Sequence, residues 1–73
     1  MITNIRKAQI RLLALKDYYN DCLAHDEPAL LLIYAKGQLH AARDMYNDLT
    51  DEECVIEEDK YGELELYFYK KED

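Results

Sequence analysis

The sequence contains little of what most catalytic or cofactor sites need. In 73 residues it has no tryptophan, one proline, two glycines, two cysteines and two histidines. Glycine-rich phosphate loops, Walker sequences, EF-hand loops and Ser-His-Asp patterns are absent. We therefore expect a protein that is not an enzyme, with no catalytic residue and no cofactor.

Long apolar runs are also missing. No stretch approaches the ~18 apolar residues of a membrane helix, and no basic start precedes a signal-like apolar run. This predicts no membrane span and a cytoplasmic protein. In that reducing compartment Cys22 and Cys54 are expected to be free core thiols, with a disulfide between them as the alternative.

The sequence contains ligand types that zinc prefers, at Cys22, His25, His40 and Cys54. If the chain turns near residue 27, His25 lies beside the turn while His40 lies about 18 Å further along the next helix. We therefore expect no metal site.

Positive charge is scarce in the last third of the chain. The net charge is −7, and residues 50–73 carry ten acidic and three basic side chains, which accounts for the whole imbalance. Nucleic-acid binding draws its affinity from Lys and Arg that displace counterions. An acidic surface of this kind therefore predicts no direct nucleic-acid binding.

Two amphipathic helices are predicted, over residues 3–24 and 27–49. Thr3 or Asn4 is the expected cap of the first. Residues 26–28 break the chain, because proline favours the first turn of a new helix and disfavours the α conformation before it. A short connection between helices implies an antiparallel helical hairpin.

The apolar residues follow the spacing of helix seams. The first seam consists of Ile5, Ala8, Leu12, Leu15, Tyr19 and Cys22, with Ile2, Leu13 and Leu23 beside it. The second consists of Leu31, Ala35, Gln38, Ala42, Met45 and Leu49, with Lys36, His40, Arg43, Asp44 and Asn47 on the expected wet side. The apolar arc of the second helix spans roughly 200°, wider than the ~100° that one neighbour covers.

After Leu49 the period changes to two, which predicts a β-hairpin. Asp59 and Gly62 suit a type I turn closed by a left-handed glycine bulge. The resulting register pairs Asp59 with Glu63, Glu57 with Glu65, Ile56 with Leu66, Val55 with Tyr67 and Cys54 with Phe68. Alternation then directs Cys54, Ile56, Leu64, Leu66 and Phe68 towards the helices.

A third helix is the competing prediction for the start of this segment. Residues 50–53, Thr-Asp-Glu-Glu, match a capping box, from which a helix could run to Asp59. We rank it second, because the alternating strand ELELYFYK would then lose its nearest partner. The predicted fold is thus α+β, in one domain of residues 1–73: an antiparallel helical hairpin followed by a C-terminal two-stranded antiparallel β-hairpin packed on it.

The solvent face of the hairpin is the candidate functional surface. Its predicted interface residues are Glu53, Val55, Glu57, Tyr61, Glu65, Tyr67 and Tyr69. Tyrosine is enriched at interfaces, and carboxylates steer basic partners. The alternative is that tyrosines simply suit strands while glutamates discourage edge pairing.

Two functions are consistent with these residues. The first is a small acidic protein-binding module that engages the basic surface of a target protein, as a phage or mobile-element inhibitor of a nucleic-acid-binding site would. The second is a homodimeric accessory protein whose core is completed by self-association.

Overall fold

The computed structural model describes residues 5–71, in which two helices are followed by an antiparallel two-stranded sheet. Helix α1 spans Ile5–Ala24, helix α2 spans Ala29–Leu49, strand β1 spans Glu52–Glu58 and strand β2 spans Leu64–Lys70. The helices pack on each other, β1 packs on α2, and β2 packs on α1. The predicted α+β fold is confirmed, and no third helix forms within residues 5–71, because residues 52–58 are a strand.

The turn between the helices is closed by a residue in the left-handed region. Asp26 has a φ of 53°, and the N–H groups of Asp26 and Glu27 donate to carbonyls in the last turn of α1 at 3.3 and 3.1 Å. Helix α2 begins at Ala29, two residues later than predicted, with Pro28 as its N-cap residue and no side-chain capping bond. The expected caps of α1, Thr3 and Asn4, lie outside the described residues, as does Ile2 of its seam.

The hairpin has the predicted register. Each of the four predicted strand pairs, from Glu57 with Glu65 to Cys54 with Phe68, is present. At the turn, Gly62 N donates to Asp59 O at 3.1 Å and Asp59 N donates to Glu63 O at 2.9 Å. Gly62 has a φ of +85°, the left-handed value expected of a glycine bulge. The Asp59 carboxylate also accepts from two turn N–H groups, which fixes the loop.

The core lies between the helices and the inner face of the sheet. Its buried residues are Leu12, Tyr19, Ala35, Leu39, Tyr46, Cys54, Leu64 and Leu66, with Ile56 and Phe68 packed against them. The set predicted to face inwards is therefore confirmed. The Tyr46 and Phe68 rings meet edge to face with centroids 5.6 Å apart, a favourable aromatic geometry that joins α2 to β2.

The predicted seam of α2 is wrong in part. Ala35 is buried and Ala42 packs against the core, but Gln38, Met45 and Leu49 are exposed. The buried line instead includes Leu39 and Tyr46. The sheet is the physical reason, because α2 must bury one side against α1 and an adjacent side against β1.

The predicted wet side of α2 partly faces β1. Asp44 is exposed as expected, while the other four of its members are half-buried: Lys36, His40, Arg43 and Asn47. Lys36 donates to Glu58 of β1 at 3.0 Å. Polar side chains of α2 therefore form part of the contact with the sheet, and several of its apolar side chains remain in solvent.

Candidate functional site

The predicted interface residues of the two strands lie on one side of the sheet. Three cross-strand pairs form this surface, which we call the outer face: Glu53 with Tyr69, Val55 with Tyr67, and Glu57 with Glu65. Tyr67 is 43% exposed and Tyr69 is 52% exposed, and Val55 between them is half-buried. The outer face is therefore an apolar centre with carboxylates around it.

The carboxylates of the outer face take part in none of the ion pairs found within residues 5–71. Those pairs join Lys16 to Asp17, Lys36 to Glu58, and Arg43 to Asp44. Glu57 and Glu65 are direct cross-strand neighbours. Like charges at directly opposite positions destabilise a strand pair, and a cation from another molecule would relieve this repulsion.

Tyr61, the seventh predicted residue, lies in the turn and not on the strands. It is 74% exposed, and the Lys60 ammonium lies 5.2 Å from the centroid of its ring. In the part of the chain that the structure describes, the hydroxyl groups of Tyr61, Tyr67 and Tyr69 make no hydrogen bond. Each of the three rings thus presents a polar atom that is available to a partner.

Two asparagines that sequence reasoning missed hold the sheet on the helices. The Asn20 amide of α1 accepts from Leu64 N at 2.8 Å and donates to Leu64 O at 2.9 Å. The Asn47 amide of α2 accepts from Cys54 N at 2.6 Å and donates to Cys54 O at 3.2 Å. Each amide therefore occupies the backbone positions that a third strand would otherwise use.

The Asn47→Ala variant is expected to lose about 1 to 3 kcal/mol of unfolding free energy, because the N–H and C=O of buried Cys54 lose their partner. Alanine has the higher helix propensity, so the loss would come from the missing contact with the strand and not from the helix. Urea unfolding followed by circular dichroism measures it. Gln38→Ala, an exposed change on the same helix, is the control; equal midpoints for the two variants would contradict the expectation.

A second polar contact joins three elements at the open end of the hairpin. The Tyr46 hydroxyl of α2 donates to Glu52 Oε1 of β1 at 2.7 Å, and Gln9 Nε2 of α1 donates to both at 3.1 and 2.8 Å. Burial of the ring raises the pKa of Tyr46 above its usual value. Lys71 donates to the carbonyls of Asn47 and Thr50, so a cation lies at the C-terminus of α2, where the helix dipole favours one.

The four candidate zinc ligands are on different elements. Cys22 and Cys54 are free, buried thiols of α1 and β1, His25 is exposed after the end of α1, and His40 is half-buried in α2. Among residues 5–71 no group of three or more His, Cys, Asp or Glu side chains could hold a metal ion. Burial raises the pKa of the Cys54 thiol, which favours the protonated form over the thiolate that binds metals.

A groove lies between the two helices. Its volume is about 170 Å³, and it is lined by Ala8, Arg11, Leu12, Ala42, Met45 and Tyr46. The lining is mostly apolar, and it contains no carboxylate, thiol or imidazole. The geometry of this groove suits an apolar side chain.

Comparison of the chain with protein-family models, with curated proteins and with solved structures finds no match. Neither helix of the described chain is both long enough and apolar enough to cross a membrane. The candidate site is therefore defined by its geometry and not by similarity to known proteins. It is an exposed surface of tyrosines and glutamates on a sheet that packs on two helices.

Proposed function

We propose that this chain is a non-enzymatic protein-binding module that docks its outer face, with Tyr61, on a basic surface of another protein. The observation that carries the proposal is the set of three carboxylates, outside every ion pair of residues 5–71, beside exposed tyrosines on one sheet face. The two asparagine contacts fix that sheet before binding, so little ordering is needed when a partner arrives.

The two residue types of the outer face have different roles in such a complex. Tyr67 and Tyr69 bury their rings against the partner while their hydroxyls form hydrogen bonds to it, which is why tyrosine contributes strongly to protein interfaces. Glu53, Glu57 and Glu65 accept hydrogen bonds from Lys and Arg side chains and accelerate encounter with a basic surface. The tyrosines supply affinity, and the carboxylates select the partner.

The partner class that fits best is a nucleic-acid-binding protein. Such a protein carries a basic surface that normally binds phosphates, and the carboxylates of the outer face would take their place. The acidic C-terminal third of this chain argues in the same direction, since it repels nucleic acid itself. The protein is then an inhibitor, of the kind that phages and mobile elements encode, acting in the cytoplasm.

Salt and nucleic acid test this proposal directly. We expect the immobilised chain to retain a basic protein from a host lysate at low ionic strength and to release most of it by about 0.5 M NaCl, where the Debye length falls to ~4 Å. Added duplex DNA or RNA should compete for the captured protein. Mass spectrometry identifies it. Capture that resists both salt and nucleic acid would exclude an electrostatic docking surface.

A further inference from the structure

Helix α2 exposes an apolar stripe on its solvent side. Its members recur at three- and four-residue steps and therefore share one helix face: Leu30, Ile33, Tyr34, Gly37, Ala41 and Met45. Leu30 is 81% exposed, Ile33 is 68% exposed and Met45 is 62% exposed. Asp44 and Asp48 share this face towards its C-terminal end. The exposed apolar surface of the preceding turns is of the kind that marks an interaction site.

Gly37, at the centre of the stripe, is not required by close packing within residues 5–71. A side chain placed there would meet no atom of those residues within 4 Å, and glycine is a poor residue for the middle of a helix. Large side chains lie towards both ends of the stripe, and small ones lie near its centre. This distribution suits two helices that cross closely at residue 37.

We propose that the stripe binds a second copy of this chain, with the two α2 helices antiparallel about a two-fold axis at Gly37. Residues at equal distance on either side of the axis then meet. Leu30 and Met45 are seven and eight residues from Gly37, or about 10 and 12 Å at 1.5 Å per residue, so Leu30 of one copy contacts Met45 of the other. Ile33 and Ala41 are both four residues away and likewise meet.

The groove between the helices fits this arrangement. Met45 forms one of its walls, and its volume of about 170 Å³ is lined mainly by apolar atoms. Leu30 of the second copy approaches Met45 and thereby reaches the groove. Each copy would thus insert one leucine into the other, which gives two identical contacts at the two ends of the interface.

The charges at the two ends of the helical layer are complementary in this orientation. Arg6, Lys7 and Arg11 lie on the first half of α1, and Arg11 shares the groove with Met45. Asp21, Asp26 and Glu27 lie at the other end. Antiparallel pairing brings the cations of α1 in one copy towards this acidic end of the other. Asp44 and Asp48 of α2 lie at the same end as the cations and are the exceptions.

The area required is compatible with the size of the chain. A stable interface buries about 800 Å² on each partner, which is about one seventh of the 5429 Å² accessible surface. The stripe and the adjoining groove supply an apolar centre for such an interface. The stripe and the groove share no residue with the outer face, so a dimer formed through them leaves both outer faces unused.

Replacing Ile33 by glutamate tests the interface. The side chain is exposed in one copy, so Ile33→Glu should keep the helical spectrum, but in the dimer it places two carboxylates against apolar surface. We expect wild type to show twice the 8.7 kDa chain mass by size exclusion with light scattering, and the variant to dissociate at least about a hundredfold more readily. Ile10→Glu, an equally drastic change at an exposed position of α1 outside the stripe, should leave the mass at the dimer value.

Asp48→Lys tests the register. Asp48 lies near the C-terminal end of α2, on the same side as the stripe. The antiparallel register brings that end towards the turn of the other copy, which carries Asp26 and Glu27. Lysine at position 48 should therefore tighten the dimer about tenfold. A chain that remains a monomer up to about 1 mM would overturn the proposal, as would an Ile33→Glu variant that stays dimeric. Unchanged or weaker association of Asp48→Lys would overturn the antiparallel register. The outcome is independent of partner capture by the outer face.

Discussion

The Glu57→Lys, Glu65→Lys double variant is expected to abolish capture of a basic partner. These two carboxylates form a direct cross-strand pair on the outer face, and their reversal replaces two attractive charges by two repulsive ones. Like charges across an interface cost several kcal/mol. We therefore expect affinity to fall at least about a hundredfold, measured by calorimetry or by surface plasmon resonance with the captured protein.

The fold should tolerate this double change. Two lysines opposite each other repel about as much as two glutamates do, and both side chains are exposed. The matched control is Asp17→Lys, Asp21→Lys, which adds the same positive charge at exposed positions of α1, outside the outer face. Capture that persists in the first variant, or that disappears equally in both, would exclude the outer face as the docking surface.

The Leu39→Ala variant is expected to lose about 2 to 5 kcal/mol of unfolding free energy. Leu39 is fully buried where the two helices and the sheet meet, and truncation of a buried leucine leaves a cavity as well as removing apolar contacts. A domain of this size has a stability of only about 4 to 11 kcal/mol. The variant should therefore be partly or fully unfolded at 37 °C.

Urea denaturation followed by circular dichroism and by tyrosine fluorescence measures this loss. Ile10→Ala, at an exposed position of α1, removes a similar apolar side chain and should change the unfolding free energy by no more than about 0.5 kcal/mol. Similar midpoints for the two variants would mean that Leu39 is not in the centre of the core. Coincident transitions from the two probes would support a single cooperative unit.

The hairpin is predictable from the sequence because its determinants are local. Asp59 and Gly62 specify one turn type, and that turn fixes every strand pair up to Cys54 with Phe68. Strict alternation then separates the inner from the outer face, since a slip of one residue would expose the leucines. Each strand residue of the outer face therefore follows from the turn and the alternation alone.

The orientation of α2 is not predictable in the same way. Periodicity shows which residues share a helix face but not which neighbour covers it, and the apolar arc of α2 is wider than any one neighbour requires. Periodicity alone therefore predicts a seam that includes Gln38 and Met45. In the structure these two side chains are exposed, and Leu39 and Tyr46 are buried. The position of the sheet decides between them.

Each asparagine contact joins a helix to a strand, so no local sequence pattern predicts it. Asn20 and Leu64 are 44 residues apart, and a helical asparagine is usually just a solvated polar residue. Its low helix propensity is the one available signal, because a residue that disfavours a helix often has another role there. Asn47 shows the same pattern, although periodicity places it on the wet side.

The same two asparagines affect how the protein behaves when it is concentrated. Cys54 lies near the open end of β1 and Leu64 at the turn end of β2, so the amides of Asn47 and Asn20 block diagonal corners of the sheet. An incoming strand therefore finds neither edge free along its full length, which hinders fibril growth by strand addition.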